Sequence, residues 1–421
     1  MSDAEFAYIL ERLAPIRTML VFGLNEIENN ALFNTAIVVN SGQLMSRYRK
    51  TPLRKGERAA ETGLWLVWRG CGRAMQPVRP RRIHSAIAQQ SPVQVKENTA
   101  YFRHQLPPLL FPAIFIAPRK GAYYMPVHFA FLTDTHHYPD APEDFGAPKM
   151  LTRSQEVLDA IPPALNTQAF DFVVHGGDFL CGGGSFNLPT ETYLRSLDEA
   201  AKAFDQIQAP FYSIPGNHDC DAQNWSYKDY AARFPYPEPL TIVDAAPRLR
   251  LALANVFHDC DVLEQSGGIW TDALDQALRS AAEEALSDGC ALLLFLHTWV
   301  LTDFDRDRGV VEGADKLRRT LSDNPSLVAA FTGHRHINRI TPYRDYLIVD
   351  TACLIGFPLG YREIILSEDG YFTTRFHTLD LPQLNQDSYD RSTLEENRIW
   401  QGHVHDRDTE ILLPRLKEVW G

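Results

Sequence analysis

Cysteine is scarce, six in 421 residues, and no two cysteines are spaced as C-x-x-C. Cys71, Cys181, Cys220, Cys260, Cys290 and Cys353 therefore offer neither a zinc knuckle nor a thioredoxin-like pair. Long apolar runs are missing as well. Stretches such as 109–117 and 291–296 fall far short of the roughly 18 residues that span a bilayer. The opening Met1-Ser2-Asp3-Ala4-Glu5 lacks the basic start and apolar run of a secretory signal. The expectation is a soluble, cytoplasmic protein with reduced thiols and no membrane contact. Positive charge is also in deficit: 41 basic residues face 53 acidic ones, a net −12. That balance speaks against general nucleic-acid binding, although a bound cation would still admit a small phosphorylated ligand. Internal repeats and low-complexity tracts are absent. Gly182-Gly183-Gly184 lacks the strand–G-x-x-x-x-G-K-S/T–helix context of a P-loop, and reads instead as a flexible loop over a cleft.

With 45% hydrophobic and 22% charged residues, the composition is that of a globular chain with two or three domains. Basic residues (Arg47, Arg49, Lys50, Arg54, Lys55, Arg58, Arg79, Arg81 and Arg82) concentrate in the first 120 positions. The Pro- and Gly-containing stretch 107–121 marks a boundary. The expected division is 1–120, 121–385 and a C-terminal extension over 386–421.

Beyond that boundary short apolar strands alternate with amphipathic helical segments. Strands are expected at 127–132, 171–174, 211–214, 249–256, 292–296, 327–331, 346–349, 362–366 and 371–377. Helical patterns cover roughly 150–161, 191–206, 271–287, 312–322 and 408–418. The alternation predicts an α/β domain with mixed sheets.

Five of these strands end directly in polar clusters. They lead to Thr133-Asp134-Thr135-His136-His137, Gly176-Gly177-Asp178, Gly216-Asn217-His218-Asp219, His297-Thr298 and Gly333-His334-Arg335-His336. Ligand sites in α/β folds gather beyond the carboxyl ends of strands. Carboxylate, amide and imidazole donors without a thiolate suit Mn²⁺, Fe²⁺ or Zn²⁺ better than Ca²⁺ or a cysteine-type zinc site. On an extended exit, residues two apart point to one side, so Asp134 and His136 can grip one ion. His334 and His336 repeat the spacing, and Asp178 is the candidate bridging carboxylate. The glycines before Asp178, Asn217 and His334 let the backbone turn off each strand and approach the ions closely. His137, His175 and Arg335, beside these motifs, are candidates for the substrate cleft; for the two histidines a hydrogen-bonding role behind the ligands is the equal alternative. Gly402-His403-Val404-His405 repeats the G-H-x-H pattern but follows no apolar strand, and is set aside.

The series D-x-H … G-D … G-N-H-D … H … G-H-x-H resembles the calcineurin-like metallophosphoesterase signature, in order, over about residues 125–380. The resemblance implies a four-layer αββα sandwich of two mixed sheets flanked by helices. It implies two divalent ions, one held by Asp134, His136, Asp178 and His336, the other by Asp178, Asn217, His297 and His334. It further implies that a water acidified between ions about 3.5–4 Å apart attacks phosphorus. His218 would protonate the leaving oxygen and Asp219 would orient His218. Cys181 stands where purple acid phosphatases carry a tyrosine, and His136 is present where they lack a histidine. The pattern is more similar to class III cyclic-nucleotide phosphodiesterases, which makes a cyclic nucleotide the first substrate expectation and phosphomonoesters or pyrophosphates the alternatives. A non-catalytic metal-binding scaffold is the reading from another class, and the intact His218 weighs against it.

The first 120 residues need their own account. Asn40-Ser41-Gly42 reads as a turn between two strands, followed by a basic loop. Residues 15–75 resemble an internal piece of the nitrilase superfamily, with Lys50 at the position of its catalytic lysine. No glutamate segment precedes it and no cysteine lies between Cys71 and Cys181, so a C–N hydrolase site is incomplete. The expectation is a small, catalytically inactive α/β fragment.

Overall fold

The structure, a computed structural model, describes residues 19–28, 31–40, 43–49, 126–146, 149–259, 266–301 and 309–421. The chain divides into two compact units, Met1–Ile116 and Ala117–Gly421. In the first, β1 (Met19–Glu28), β2 (Ala31–Asn40) and β3 (Gln43–Arg49) form an antiparallel sheet in that order. Asn40 pairs with Gln43, so the expected turn joins β2 to β3, and β3 takes up the start of the stretch read as a basic loop. Lys50, Arg54, Lys55, Arg58, Arg79, Arg81 and Arg82 lie outside the described residues, as does Cys71.

The second unit is built on alternation. Strand β4 (Val127–Leu132) sends Phe129 and Phe131 to one face and Ala130 and Leu132 to the other, and all four are buried. A strand buried on both faces needs a layer on each side. β4 is joined by β5 (Phe172–His175), β6 (Phe211–Ser213), β13 (Gly360–Leu366), β14 (Tyr371–Thr378) and β15 (Thr409–Leu412) in the order β15-β14-β13-β4-β5-β6. The second sheet runs β11-β12-β10-β9-β8-β7, from β7 (Leu240–Ala246), β8 (Leu249–Ala254), β9 (Ala291–Phe295), β10 (Leu327–Thr332), β11 (Arg339–Tyr343) and β12 (Tyr346–Asp350). Both sheets are mixed: β4-β5-β6 and β8-β9-β10-β12 pair in parallel, and the remaining pairs are antiparallel.

The sheets pack face to face. Phe129, Phe131, Phe172 and Val174 of one meet Leu251, Leu293, Phe295, Phe331 and Val349 of the other in a single core. Phe295 and Phe331 stack at 4.8 Å, and Phe131 lies 5.3 Å from Phe331 edge-on. Each buried aromatic of this kind stabilises the fold by roughly 1.5–3 kcal/mol. On the outer face of the first sheet lie α1 (Ser154–Asn166), the one-turn α2 (Gly183–Phe186) and α3 (Thr190–Phe204), through Val157, Ile161, Leu197 and Ala200. After the short α4 (Lys228–Ala231), α5 (Asp272–Ser287) and α6 (Ala314–Asp323) cover the second sheet through Leu274, Leu278, Leu317 and Leu321. The result is the four-layer αββα sandwich implied by the motif series.

The C-terminal stretch departs from a single helix over 408–418. After α7 (Pro382–Asp390), α8 (Leu394–Gln401) and α9 (Val404–Arg407), residues 409–412 pair with β14 as β15, and only α10 (Pro414–Trp420) is helical. Pro414 opens that helix and holds Leu413 extended, which separates the two elements. Leu413, Leu416, Val419 and Trp420 complete the core between the sheets. Arg415, buried, donates to the carbonyls of Leu321, Asn324 and Leu327. The Trp420 indole donates to Arg248 O at 2.8 Å, and Arg248 donates back to Val419 O at 2.7 Å.

Candidate metal centre

Every donor named from the sequence leaves the carboxyl end of β4, β5, β6, β9 or β10, which puts all of them at one end of the sandwich. Their carboxylates and imidazoles, with His218, form three interlocking groups: Asp134, His136 and His336; His136, Asp178 and His218; Asp178, His297 and His334. In the first, His336 Nε2 lies 3.0 Å from Asp134 Oδ1 and 3.2 Å from His136 Nε2. In the third, His297 Nε2 lies 3.1 Å from Asp178 Oδ2 and 3.3 Å from His334 Nδ1. Asp178 Oδ2 is also 3.8 Å from His136 Nε2, so one carboxylate oxygen faces both groups.

The backbone geometry differs from the extended exit expected of D-x-H. Asp134, His136, Asp178, His334 and His336 all have φ between 46° and 67°, in the left-handed region. Asp and His tolerate this conformation better than branched residues, yet each such residue is strained, and strain of this kind clusters at functional sites. Paired donors converge because the chain coils left-handed at each of them, not because alternate residues of a strand share a face. The strain is held by a dense network. Asp134 N–H donates to Gly177 O and His136 N–H to Asp178 O, both at 3.0 Å, and His334 N–H donates to Asp134 Oδ2 at 2.9 Å. Two of the glycines are held to that residue type by space. A Cβ at Gly216 would collide with the Asp178 carboxylate, and one at Gly333 with Thr133 and the Asp134 carboxylate.

Electrostatics couple the donors. Burial works against the ionised Asp134 carboxyl, but His336 and His136 hold it well below the usual range. Burial alone would lower His297 and His336, yet Asp178 raises the first, and Cys353 with Asp134 the second, each to about 9. Burial, reinforced by the His297 charge, takes His334 down to about 3. A cluster that binds positive charge this strongly at two imidazoles is matched to cations.

The residues fit two divalent ions on independent grounds. The set is carboxylate, imidazole and amide, with no thiolate. Asn217 Oδ1 is buried with no hydrogen-bond partner, an acceptor that a cation would satisfy. Cys181 is not a competing ligand: burial pushes its thiol up, and Sγ donates to His136 O at 3.3 Å.

Three expectations change. Asp219 does not orient the His218 ring. Its carboxylate accepts the backbone N–H groups of Asp178, Leu180 and Gly216 at 2.8–3.2 Å, which shapes the loop carrying Asp178. The His218 ring pairs instead with Gly182 O at 2.9 Å; since a carbonyl only accepts, Nδ1 carries the proton and Nε2 is left for the site. The triglycine is accordingly no flexible loop. Gly182 N–H donates to His218 O and Gly183 N–H to Cys220 O, and α2 begins there. Finally, His137 and His175 are fully buried and line no cleft. His137 Nε2 pairs with Glu199 at 2.7 Å. His175 accepts Gly177 N–H at Nδ1, 3.1 Å, and so donates from Nε2 to Thr135 Oγ1, 2.8 Å, joining two donor loops from behind. Burial lowers it to about 3, so it stays neutral. Arg335 is half-buried, with its guanidinium 5.9 Å from the Trp299 ring. His403 and His405 stack on each other and join none of the donor groups found among the described residues.

A two-sheet αββα sandwich with a dense oxygen–nitrogen donor cluster at its strand ends defines a class of metal-dependent hydrolases. Within that class, residues 127–338, half of the chain, match the model of the calcineurin-like phosphoesterases. The protein belongs to that family of phosphoester hydrolases. No curated protein sequence matches it. Among solved structures it is similar to a dimetal phosphatase from Danio rerio, with 13% identity and a TM-score of 0.50 over 59% of this chain and 95% of that one. It is also similar to a putative 5′-nucleotidase from Staphylococcus aureus, with 15% identity and a TM-score of 0.41 over 63% of this chain and 58% of that one. No described helix is long and apolar enough to cross a membrane.

Proposed function

We propose that the protein hydrolyses phosphodiesters, cyclic nucleotides among them, with two ions drawn from Mn²⁺, Fe²⁺ and Zn²⁺. The observation that carries this reading is Asp178 Oδ2, which faces His297 on one side and His136 on the other. Asp134, His136, Asp178 and His336 would hold one ion, and Asp178, Asn217, His297 and His334 the second. When bound, the ions supply charge neutralisation at the phosphoryl oxygens and make water acidic enough to react at neutral pH.

The chain's own contribution is position and a proton. Asp178 Oδ1 accepts the His218 backbone N–H at 2.7 Å, so the proton donor is tied to the central carboxylate. Gly182 O fixes the tautomer of His218. The protonated ring would donate from Nε2 to the leaving oxygen, a general-acid role worth roughly 10²–10⁴-fold. Burial lowers the His218 imidazole, partly offset by Asp178, which makes its cation a readier proton donor. The full D-x-H with Cys181 in place of a tyrosine supports the diesterase branch over the purple acid phosphatases.

The test is Mn²⁺-loaded full-length protein against bis-p-nitrophenyl phosphate, p-nitrophenyl phosphate, 3′,5′-cyclic AMP and pyrophosphate. Diester turnover that disappears on chelation and returns with Mn²⁺ is the expected result. Turnover of the monoester or pyrophosphate alone would replace the diesterase assignment, and two bound ions with no turnover would leave a scaffold.

A further inference from the structure

Beside the donor loops lies a wall that metal binding does not use. Phe186, the last residue of α2, presents its ring 5.0 Å from the His218 ring, edge-on, and 6.3 Å from His136. Phe145 continues the wall outward, with ring centroids 5.1 Å from Phe186 and 49% of the residue exposed. Lys149 Nζ sits 5.4 Å from the Phe186 centroid. Its charge reaches the donor cluster, where it disfavours protonation of His136 and His218. Among the described residues no carboxylate neutralises this ammonium.

These three side chains are of two kinds. Two rings form a continuous aromatic path from solvent to His218, and one cation lies against that path. A planar π-system stacks on aromatic rings with little regard to its identity, while an ammonium seeks an anionic oxygen. A nucleotide carries both features, a planar base and an anionic phosphate on one molecule. The geometry points to a leaving-group subsite in which Phe145 and Phe186 take the base of a nucleotide and Lys149 takes an anionic oxygen of the same molecule. The assignment to the leaving side rests on the reading of His218 as the proton donor, since Phe186 touches that residue. α2 is what places the ring, because Gly182 and Gly183 fasten its first turn to the backbone of His218 and Cys220.

The experiment compares adenosine 5′-monophosphate with ribose 5-phosphate, which keeps the sugar and phosphate and lacks the base. Each is titrated calorimetrically into the Mn²⁺-loaded full chain. Wild-type protein should bind the nucleotide roughly tenfold more tightly, the scale of one base–aromatic stack. Phe145→Ser, at an exposed ring, and Phe186→Leu should each shrink that ratio, whereas Lys149→Gln should weaken both ligands by the same factor. Equal affinity in the wild type, or a ratio that neither phenylalanine substitution changes, would overturn the subsite. Failure of the hydrolase reading looks different: base preference in the calorimeter with no turnover of any ester keeps the subsite and removes the reaction. Turnover of the esters without base preference does the reverse.

Discussion

Asp178 divides its carboxylate between two tasks: Oδ1 accepts the backbone N–H of His218 at 2.7 Å, while Oδ2 lies 3.1 Å from His297 Nε2 and faces His136 beyond. The residue that would bridge two ions therefore also holds the backbone of His218, the proposed proton donor. On the proposed reading, metal occupancy and general-acid geometry would be linked through one side chain.

Asp178→Asn separates those tasks, because the amide oxygen can still receive the His218 N–H while the negative charge is gone. We expect a folded protein whose Mn²⁺ affinity falls roughly 100-fold or more, since even outer-sphere changes cost 10–100-fold. Elemental analysis after equilibrium dialysis checks this; two ions retained at wild-type affinity would contradict it.

His218→Asn should lower kcat by about 10²–10⁴-fold without changing metal content. The loss should be smaller for esters of p-nitrophenol, which departs without needing a proton, than for esters of alkyl alcohols. An equal loss for both leaving groups would mean that His218 does not act by protonation.

Much of this site is legible in the residues alone, and for a definite reason. Each donor follows a short, mostly apolar strand, as in β4, where Phe129 and Phe131 are buried. Other features depend on tertiary context. The edge strands β7, β11 and β15 carry mixed exposure along their length, so they lack the apolar signature of the central strands. Asp219 sits next to His218 in the chain, and the family resemblance implies that it orients that ring. Instead the turn points its carboxylate at backbone N–H groups 3, 39 and 41 residues away. Left-handed backbone at five donors has no period to detect. A clue existed in the residue types, Asp, His and glycine, that this region tolerates.

The pH dependence follows from two imidazoles raised to about 9, His297 by Asp178 and His336 by Cys353 and Asp134, against the lowering effect of burial. A group raised in the folded state stabilises it below the unfolded value near 6.5 and loses that contribution as pH climbs through the folded value. Metal-free protein should therefore melt at progressively lower temperature between about pH 6.5 and 9. The lowered imidazoles His175 and His334, near 3, have completed their change below this window. Mn²⁺ binding must displace the two protons, so affinity should rise over the same interval and then level off. Thermal melts with and without Mn²⁺ test both signs; a metal-free melting temperature that rises with pH would refute the assignment.

His175→Phe preserves a ring against Phe179, whose centroid is 3.6 Å away, and removes the hydrogen bonds to Thr135 and Gly177. If His175 holds the two donor loops in register, Mn²⁺ affinity should fall about 10–100-fold. KM and kcat measured at saturating Mn²⁺ should recover most of the wild-type values. A variant that melts early yet binds Mn²⁺ normally would assign His175 to packing alone.

The terminal segment bears on how the molecule can be handled. β15 closes the edge of one sheet, while Arg415 grips the first residue of β10 and Trp420 the residue just before β8 in the other, at the strand ends away from the donors. Clipping residues 409–421 should thus unfasten the sandwich at its base, with the loss of activity trailing a fall in melting temperature. A dye or surface tether placed at Gly421, by contrast, would sit at the end of the sandwich opposite the donors and leave that cluster undisturbed.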